Sequence, residues 1–195
     1  YLPRNKIVQL MQNISKNIIV VVDGAYVEYV EKEDYDKGFS LSDEFDNLIL
    51  TRTFSKTYGL AALRIGWCYT SKKVADILNK IKPPFNTTSI SQAIAIKALE
   101  DQEYIKKVVK LNFEVKNWFE NELYKLKIKV KETQGNFSLI ETSIEGANKI
   151  ANHLANDGVI VRSLESYNLP NFLRISIGTK EEMEITINSL KNYNE

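Results

Sequence analysis

The run NIIVVV at residues 17–22 constrains the fold more than any other segment of the chain. After its leading asparagine it is short, apolar and rich in β-branched residues. That is the pattern of a strand buried on both faces, as in a parallel sheet covered by helices. Asp23 and Gly24 end it with turn chemistry. A second apolar strand is expected over 48–51 and a third over 64–70, with a polar, acidic loop over 31–46 before them. Upstream, Pro3 followed by Ile7, Leu10, Met11 and Ile14 predicts an amphipathic helix with proline in its first turn.

A helix beginning near Lys72 must stop at Pro83 and Pro84, and PPFNTTS at 83–89 is too rich in proline and β-branched residues to continue it. Between the second and third strands, FSKTYGLAAL at 54–63 holds small residues and a glycine without a sustained period, which predicts a turn or short helix at strand ends. From Ser91 to Lys125 the periodicity is helical, with Val108, Leu111, Val115 and Trp118 along one face. The sequence then changes character. Strands are expected at 128–132 and 137–141, a helix over 145–156 with Gly158 at its C-cap, strands at 159–163 and 172–177, and a last helix over 180–192. The second half therefore reads as an α+β unit with two covering helices.

Composition narrows the chemistry. With 44% hydrophobic residues in 195, the chain has material for a substantial core. Its 26 basic and 25 acidic residues give no general electrostatic reason to bind nucleic acid or an anionic membrane. No apolar stretch approaches the roughly 20 residues that span a bilayer. The single cysteine, Cys68, has no partner for an internal disulfide and fits a reducing, cytoplasmic setting. His153 is the only histidine and lies in a helical pattern, where a packing or surface role is expected. A Ser-His-Asp triad, a Cys-His pair or a multi-histidine metal site would have little to work with.

Three features remain: Asp23 at a strand end with Tyr26 three residues on, the Ser55–Lys56 pair in the turn, and Arg64 eight residues beyond Lys56. Each has a bland reading alone. A carboxylate at a strand end forms turns, a loop lysine is a solvated charge, and an arginine opening a strand pairs with an acid. Together, VVDGAYVEY at 21–29 and TRTFSKTYGLAALRIGW at 51–67 resemble the cofactor-binding motifs of class I/II, fold-type I aminotransferases. With PPFNTTSISQAIA at 83–95 and LRISIGTKEE at 173–182, the likeness narrows to the histidinol-phosphate aminotransferase family and covers essentially the whole chain.

That resemblance implies an α/β fold. Residues 1–105 would be the C-terminal part of the large domain that binds pyridoxal 5'-phosphate, with a partial mixed sheet of three neighbouring strands, and 106–195 a small α+β domain. It implies that Lys56 holds the cofactor as a Schiff base and moves the proton between substrate Cα and cofactor C4′. Asp23 would pair with the pyridinium nitrogen, Tyr26 would donate to the phenolic oxygen, and Ser55 and Arg64 would bind the phosphate. By the same resemblance Arg174 matches the family's substrate-anchoring arginine, Arg162 would be a companion for the substrate's anionic end, and Asn136 would face the site. The implied partners are a small-molecule amino donor, a 2-oxo acid and a second copy in a homodimer, with no nucleic acid or membrane.

The family often carries Glu where this chain has Gly24 and Gly where it has Ala62, neither of which supplies a catalytic group. Family members also have an upstream phosphate-binding loop, an aromatic that stacks on the ring and an asparagine near the phenolic oxygen, so the chain is expected to be an inactive fragment of such an enzyme. Alternatives of the same lysine turn are an aminotransferase for aromatic or other amino acids and a phospho-amino-acid lyase. A folding or interaction module without chemistry is the alternative of a different class.

Overall fold

The structure, a computed structural model, describes residues 1–193. Helix α1 (Arg4–Asn13) begins at Pro3, which stands at the N-cap and needs no N–H there. Its buried residues, Ile7 and Met11, are four apart and share one face, as helical spacing demands. They pack with Leu41, Leu48 and Leu50 into one core cluster. Strand β1 (Val20–Asp23) pairs in parallel with β2 (Leu48–Thr53), and β2 pairs antiparallel with β3 (Gly66–Thr70), in the order β1-β2-β3.

The first strand departs from the sequence expectation. Val20 and Val22 pack against the cluster, but Val21 is 56% exposed, and Ile18 and Ile19 lie outside the strand and are exposed as well. The physical reason is position: β1 is the edge of this sheet among the described residues, and only its α1 side meets the core, so alternate side chains face outward. A second departure lies in the acidic segment, which holds a short helix, α2 (Phe39–Glu44). Burial of Leu41 supports it, where propensity over six residues would not. Gly38 precedes it at φ +94°, and Asp36 accepts from the Gly38 N–H at 2.6 Å.

One buried charge ties this part together. Arg52 is 7% exposed and donates to the carbonyls of Thr51, at 2.8 Å, and Lys37. Its guanidinium lies 5.7 Å from the Phe39 ring centroid and 5.9 Å from that of Trp67. Gly24 makes room for it: a Cβ there would sit 2.0 Å from Arg52 Nη1 and 2.9 Å from the Thr51 carbonyl oxygen.

Helix α3 (Lys72–Ile81) ends just before the prolines. The long helical stretch is two helices, α4 (Ser89–Glu100) and α5 (Gln102–Lys125), separated at Asp101. Asp101 has φ −87° and ψ 68°, and its carboxylate accepts from the Tyr104 N–H at 3.1 Å, a local cap that competes with helix continuation. Apolar period alone does not register a one-residue break.

The chain divides into two compact units, Tyr1–Lys107 and Val108–Glu195. In the second, β4 (Lys129–Lys131), β5 (Phe137–Glu141), β6 (Arg162–Ser163) and β7 (Phe172–Ser176) form an antiparallel sheet in the order β4-β5-β7-β6. The expected strand over 159–163 thus shrinks to two residues. Helices α6 (Ile144–Asn156) and α7 (Lys180–Lys191) pack with Val115, Phe119 and Leu123 of α5 against Ile140, Leu173 and Ile175 of the sheet. Three helices therefore share this core, and Leu111, expected on the buried face of α5, is 49% exposed. Ser143 caps α6, and Thr179 with Glu182 forms a capping box on α7. His153 lies 2.9 Å by its Nε2 from the Ser189 carbonyl oxygen and its ring meets that of Tyr193 at a tilt of 58°, joining α6 to the end of α7.

No helix among the described residues is long and apolar enough to cross a membrane. Leu173→Ala, at a fully buried position, is expected to lower stability by about 2–5 kcal/mol in denaturant unfolding. Gly24→Ala is expected to cost about 1–3 kcal/mol by displacing Arg52, read in the same way.

Candidate active site

Parallel pairing places Asp23 at the register of Thr51, so β1 and β2 deliver their carboxyl ends to the same edge of the sheet. Antiparallel pairing then sets Gly66, the first residue of β3, opposite Thr53, the last of β2. Everything that leaves β1, leaves β2 or enters β3 therefore gathers at one end of the sheet, where open α/β sheets hold ligands. Asp23 ends β1 at that edge, and Tyr26, Ser55, Lys56 and Arg64 lie in those connections.

Asp23 is exposed, and its hydrogen bonds fall on Oδ1, from the Ala25 N–H at 3.0 Å and from Thr51 Oγ1 at 3.4 Å. Its other carboxylate oxygen faces no hydrogen-bond donor of the described residues. Tyr26 leads into a 3₁₀ turn over Val27–Tyr29. The Lys56 Nζ lies 5.3 Å from the centroid of the Tyr26 ring.

The lysine turn is closed by its own backbone. The Gly59 N–H donates to the Lys56 carbonyl at 2.9 Å, and the Leu60 N–H donates to the Phe54 carbonyl at 2.9 Å. Gly59 has φ +70°, a conformation that suits glycine. Phe54 and Thr57 are buried, at 3% and 1% exposure, while Lys56 between them is exposed. The turn is anchored on both sides and presents the amine outward. Ser55 is held by its N–H, which donates to Thr53 Oγ1 at 3.0 Å.

Arg64 has φ +51° and ψ +46°, a left-handed conformation that is uncommon for a side chain of its size and concentrates at functional sites. Its Nη1 donates to the Ala61 carbonyl at 2.8 Å. The preceding carbonyl, of Leu63, accepts from Ser91 Oγ at 2.9 Å, so α4 pins the loop that carries the arginine. Ser91 is 3% exposed and also meets Thr88 Oγ1 at 2.8 Å.

The second unit carries the remaining expected residues. Arg162 of β6 and Arg174 of β7 are direct cross-strand partners, so two cations share one sheet face. Arg162 donates to the Tyr167 hydroxyl at 2.7 Å and is exposed. Arg174 lies 5.3 Å from the Phe137 ring centroid, and its buried Nε has no hydrogen-bond partner among the described residues. Like charges set opposite each other, one with an unsatisfied donor, suit an anion supplied from outside the chain. Asn136 is held by its backbone, its carbonyl accepting from the Ile177 N–H at 2.8 Å; no hydrogen bond joins its side chain to the arginine pair.

Glu28, Arg52, Thr57 and Ser91 were not singled out in the sequence, although all four organise the first unit's site. A signal existed for two of them: Glu28 stands between Val27 and Tyr29 in an apolar stretch, and Arg52 interrupts a strand of apolar and β-branched residues.

Comparison with known proteins follows this geometry. The sequence pattern of the family described as Aminotransferase class I and II matches residues 1–190. The histidinol-phosphate aminotransferase of Pelagibacter ubique is 43% identical over 98% of this chain and 55% of its own length. That of Rhodopseudomonas palustris is 34% identical over 99% of this chain and 54% of its own. Among solved structures, histidinol-phosphate aminotransferase from Sinorhizobium meliloti in complex with pyridoxal-5'-phosphate is 28% identical with a TM-score of 0.89, covering 97% of this chain and 52% of that one. An aspartate aminotransferase from Thermotoga maritima, 22% identical over 97% of this chain and 52% of its own, shares the fold with a TM-score of 0.85. The chain spans about half the length of the curated relatives it matches. With the lysine turn, the aspartate at the end of β1 and a match over nearly its full length, this chain belongs to the class I and II aminotransferase family.

Proposed function

We propose that this chain carries the lysine half of the active site of a pyridoxal-phosphate-dependent aminotransferase acting on histidinol phosphate. Residues 1–105 are read as the C-terminal part of the cofactor-binding large domain and 106–195 as the small domain. The observation that carries the reading is Lys56: an exposed amine on a closed turn, beside Tyr26 and at the same sheet end as Asp23 and Arg64. The donor set suits the cofactor, with an amine for its aldehyde, a carboxylate for its ring nitrogen, and a hydroxyl and guanidinium for its phosphate.

When bound, pyridoxal phosphate supplies an electron sink for the bond broken at the substrate Cα. Lys56 would hold its aldehyde carbon through the side-chain amine and would carry the proton at the substrate Cα. Asp23 keeps the ring nitrogen protonated. Tyr26 donates to the phenolic oxygen, and Ser55 and Arg64 hold the phosphate. Arg174 with Arg162 binds the anionic end of the substrate, and Asn136 lines that side.

For the whole protein the proposed reaction passes the amino group of histidinol phosphate to 2-oxoglutarate, giving imidazole acetol phosphate and glutamate in histidine biosynthesis, in a cytoplasmic homodimer. The support is identity of 34–43% to relatives of that name. The 195 residues alone, about half of such a relative, are proposed to turn over no substrate.

Reduction with borohydride after incubation with pyridoxal phosphate is expected to place a single pyridoxyl adduct on Lys56 by mass spectrometry, and Lys56→Ala is expected to abolish it. Adducts scattered over other lysines in both proteins would refute the assignment. In the whole protein, Arg174→Ala is expected to lower kcat/KM for histidinol phosphate about 10- to 100-fold, the scale of one hydrogen bond to a charged group. Turnover of phenylalanine in preference to histidinol phosphate would exclude the proposed substrate.

A further inference from the structure

Glu28 occupies a place where ionisation is costly. It lies on the 3₁₀ turn Val27–Tyr29, two residues after Tyr26, and is part-buried. Burial pushes its carboxyl above the ordinary glutamate value, against the pull of hydrogen bonds from its own backbone and Thr57 and of the Arg52 and Lys37 charges. In the folded chain the protonated form is therefore favoured more than in the unfolded one. The resulting stability is present below the unfolded value and is lost as pH rises through the folded value. At neutral pH an ionised Glu28 works against the fold.

Its hydrogen-bond partner explains what is gained. Thr57 Oγ1 donates to Glu28 Oε2 at 3.3 Å, and Thr57, 1% exposed, is the residue next to Lys56. A valine would fill the same buried space, so packing alone does not call for a hydroxyl at 57. What the hydroxyl adds is a tie between two segments: the lysine turn, and the segment that carries Asp23 and Tyr26.

We propose that Glu28 is a positioning residue for Lys56, holding the lysine turn through the Thr57 hydroxyl at a fixed place against the Asp23–Tyr26 segment. This rests on the reading of Lys56 as the cofactor lysine. The backbone bonds at Gly59 and Leu60 close the turn on itself, and the Glu28–Thr57 bond fixes where the closed turn sits. An amine that must approach one carbon atom gains from such fixation, because small displacements cost large factors in rate. Glu28 does not touch the reacting atoms in this role.

Four single variants in the full chain, Thr57→Val, Thr57→Ser, Glu28→Leu and Glu28→Gln, and the double variant Thr57→Val with Glu28→Leu test it. Without cofactor, amide hydrogen exchange at Gly59 and Leu60 is expected to speed up about ten-fold in Thr57→Val and in Glu28→Leu, the scale of one net hydrogen bond. The double variant should be no faster than either alone, because both remove the same bond. Thr57→Ser and Glu28→Gln keep donor and acceptor and are expected to exchange like the wild type, with the amides of α7 unchanged throughout. Borohydride trapping of pyridoxal phosphate at Lys56 should slow about ten-fold in Thr57→Val and recover in Thr57→Ser. Glu28→Gln should melt no lower than the wild type at neutral pH, and the difference should shrink in acid. Wild-type exchange in both Thr57→Val and Glu28→Leu, additive effects in the double variant, or trapping that ignores Thr57→Val would overturn the proposal. A wild-type chain that forms no Lys56 adduct would overturn the cofactor reading instead, with the exchange coupling left standing.

Discussion

The parallel pairing of β1 with β2 is the constraint on which the first unit depends. Four residues of register, from Val20 opposite Leu48 to Asp23 opposite Thr51, decide that an aspartate and a lysine about thirty positions apart leave the sheet at the same end. The pairing has a scaffold on one side, where α1 and Leu41 cover Val20, Val22, Leu48 and Leu50. A slip of one residue would turn Val21 and Asp23 into that core and carry Val20 and Val22 out of it. Burial of two valines against a carboxylate makes the register unambiguous.

Arg52 performs a related task for the loops. Its guanidinium lies beside the stacked Phe39 and Trp67 rings and bonds two carbonyls, one on its own strand and one from Lys37 in the acidic segment. A planar, permanently charged group with several donors can satisfy such separated carbonyls at once, which a lysine cannot. Gly24 is the complement of that choice, since the space next to Asp23 that a side chain would fill belongs to the arginine. The departure from the family's usual glutamate at this position thus coincides with a local packing arrangement and leaves Asp23 itself in place.

Much of this was legible from the chain because the signals were local. Buried four-residue spacing gave α1, Pro83 and Pro84 marked the end of α3, and VVDGAYVEY with TRTFSKTYGLAALRIGW held the candidate residues that β1–β2–β3 pairing gathers at one sheet end. What was not legible depended on tertiary context. The apolar run at 17–22 does not say that its strand lies at an edge, α2 exists because Leu41 finds a core, and the break at Asp101 is a side-chain cap invisible to apolar periodicity. Thr57 and Ser91 escaped notice for a similar reason. A hydroxyl reads as an ordinary polar residue until its acceptor, 29 residues away for Thr57 and 28 for Ser91, is known.

Arg162 and Arg174 carry one more implication. Strand β6 is only two residues long, and one of its two register pairs sets these cations against each other. Cross-strand like charges weaken a ladder, so the rim of this sheet is held less by its own side chains than the interior is. An anion bridging the two guanidiniums would reverse the sign of that term, and occupancy and local order would then be linked by mass action. With such an anion bound, recognising a negative charge and completing the edge strand β6 would be a single event.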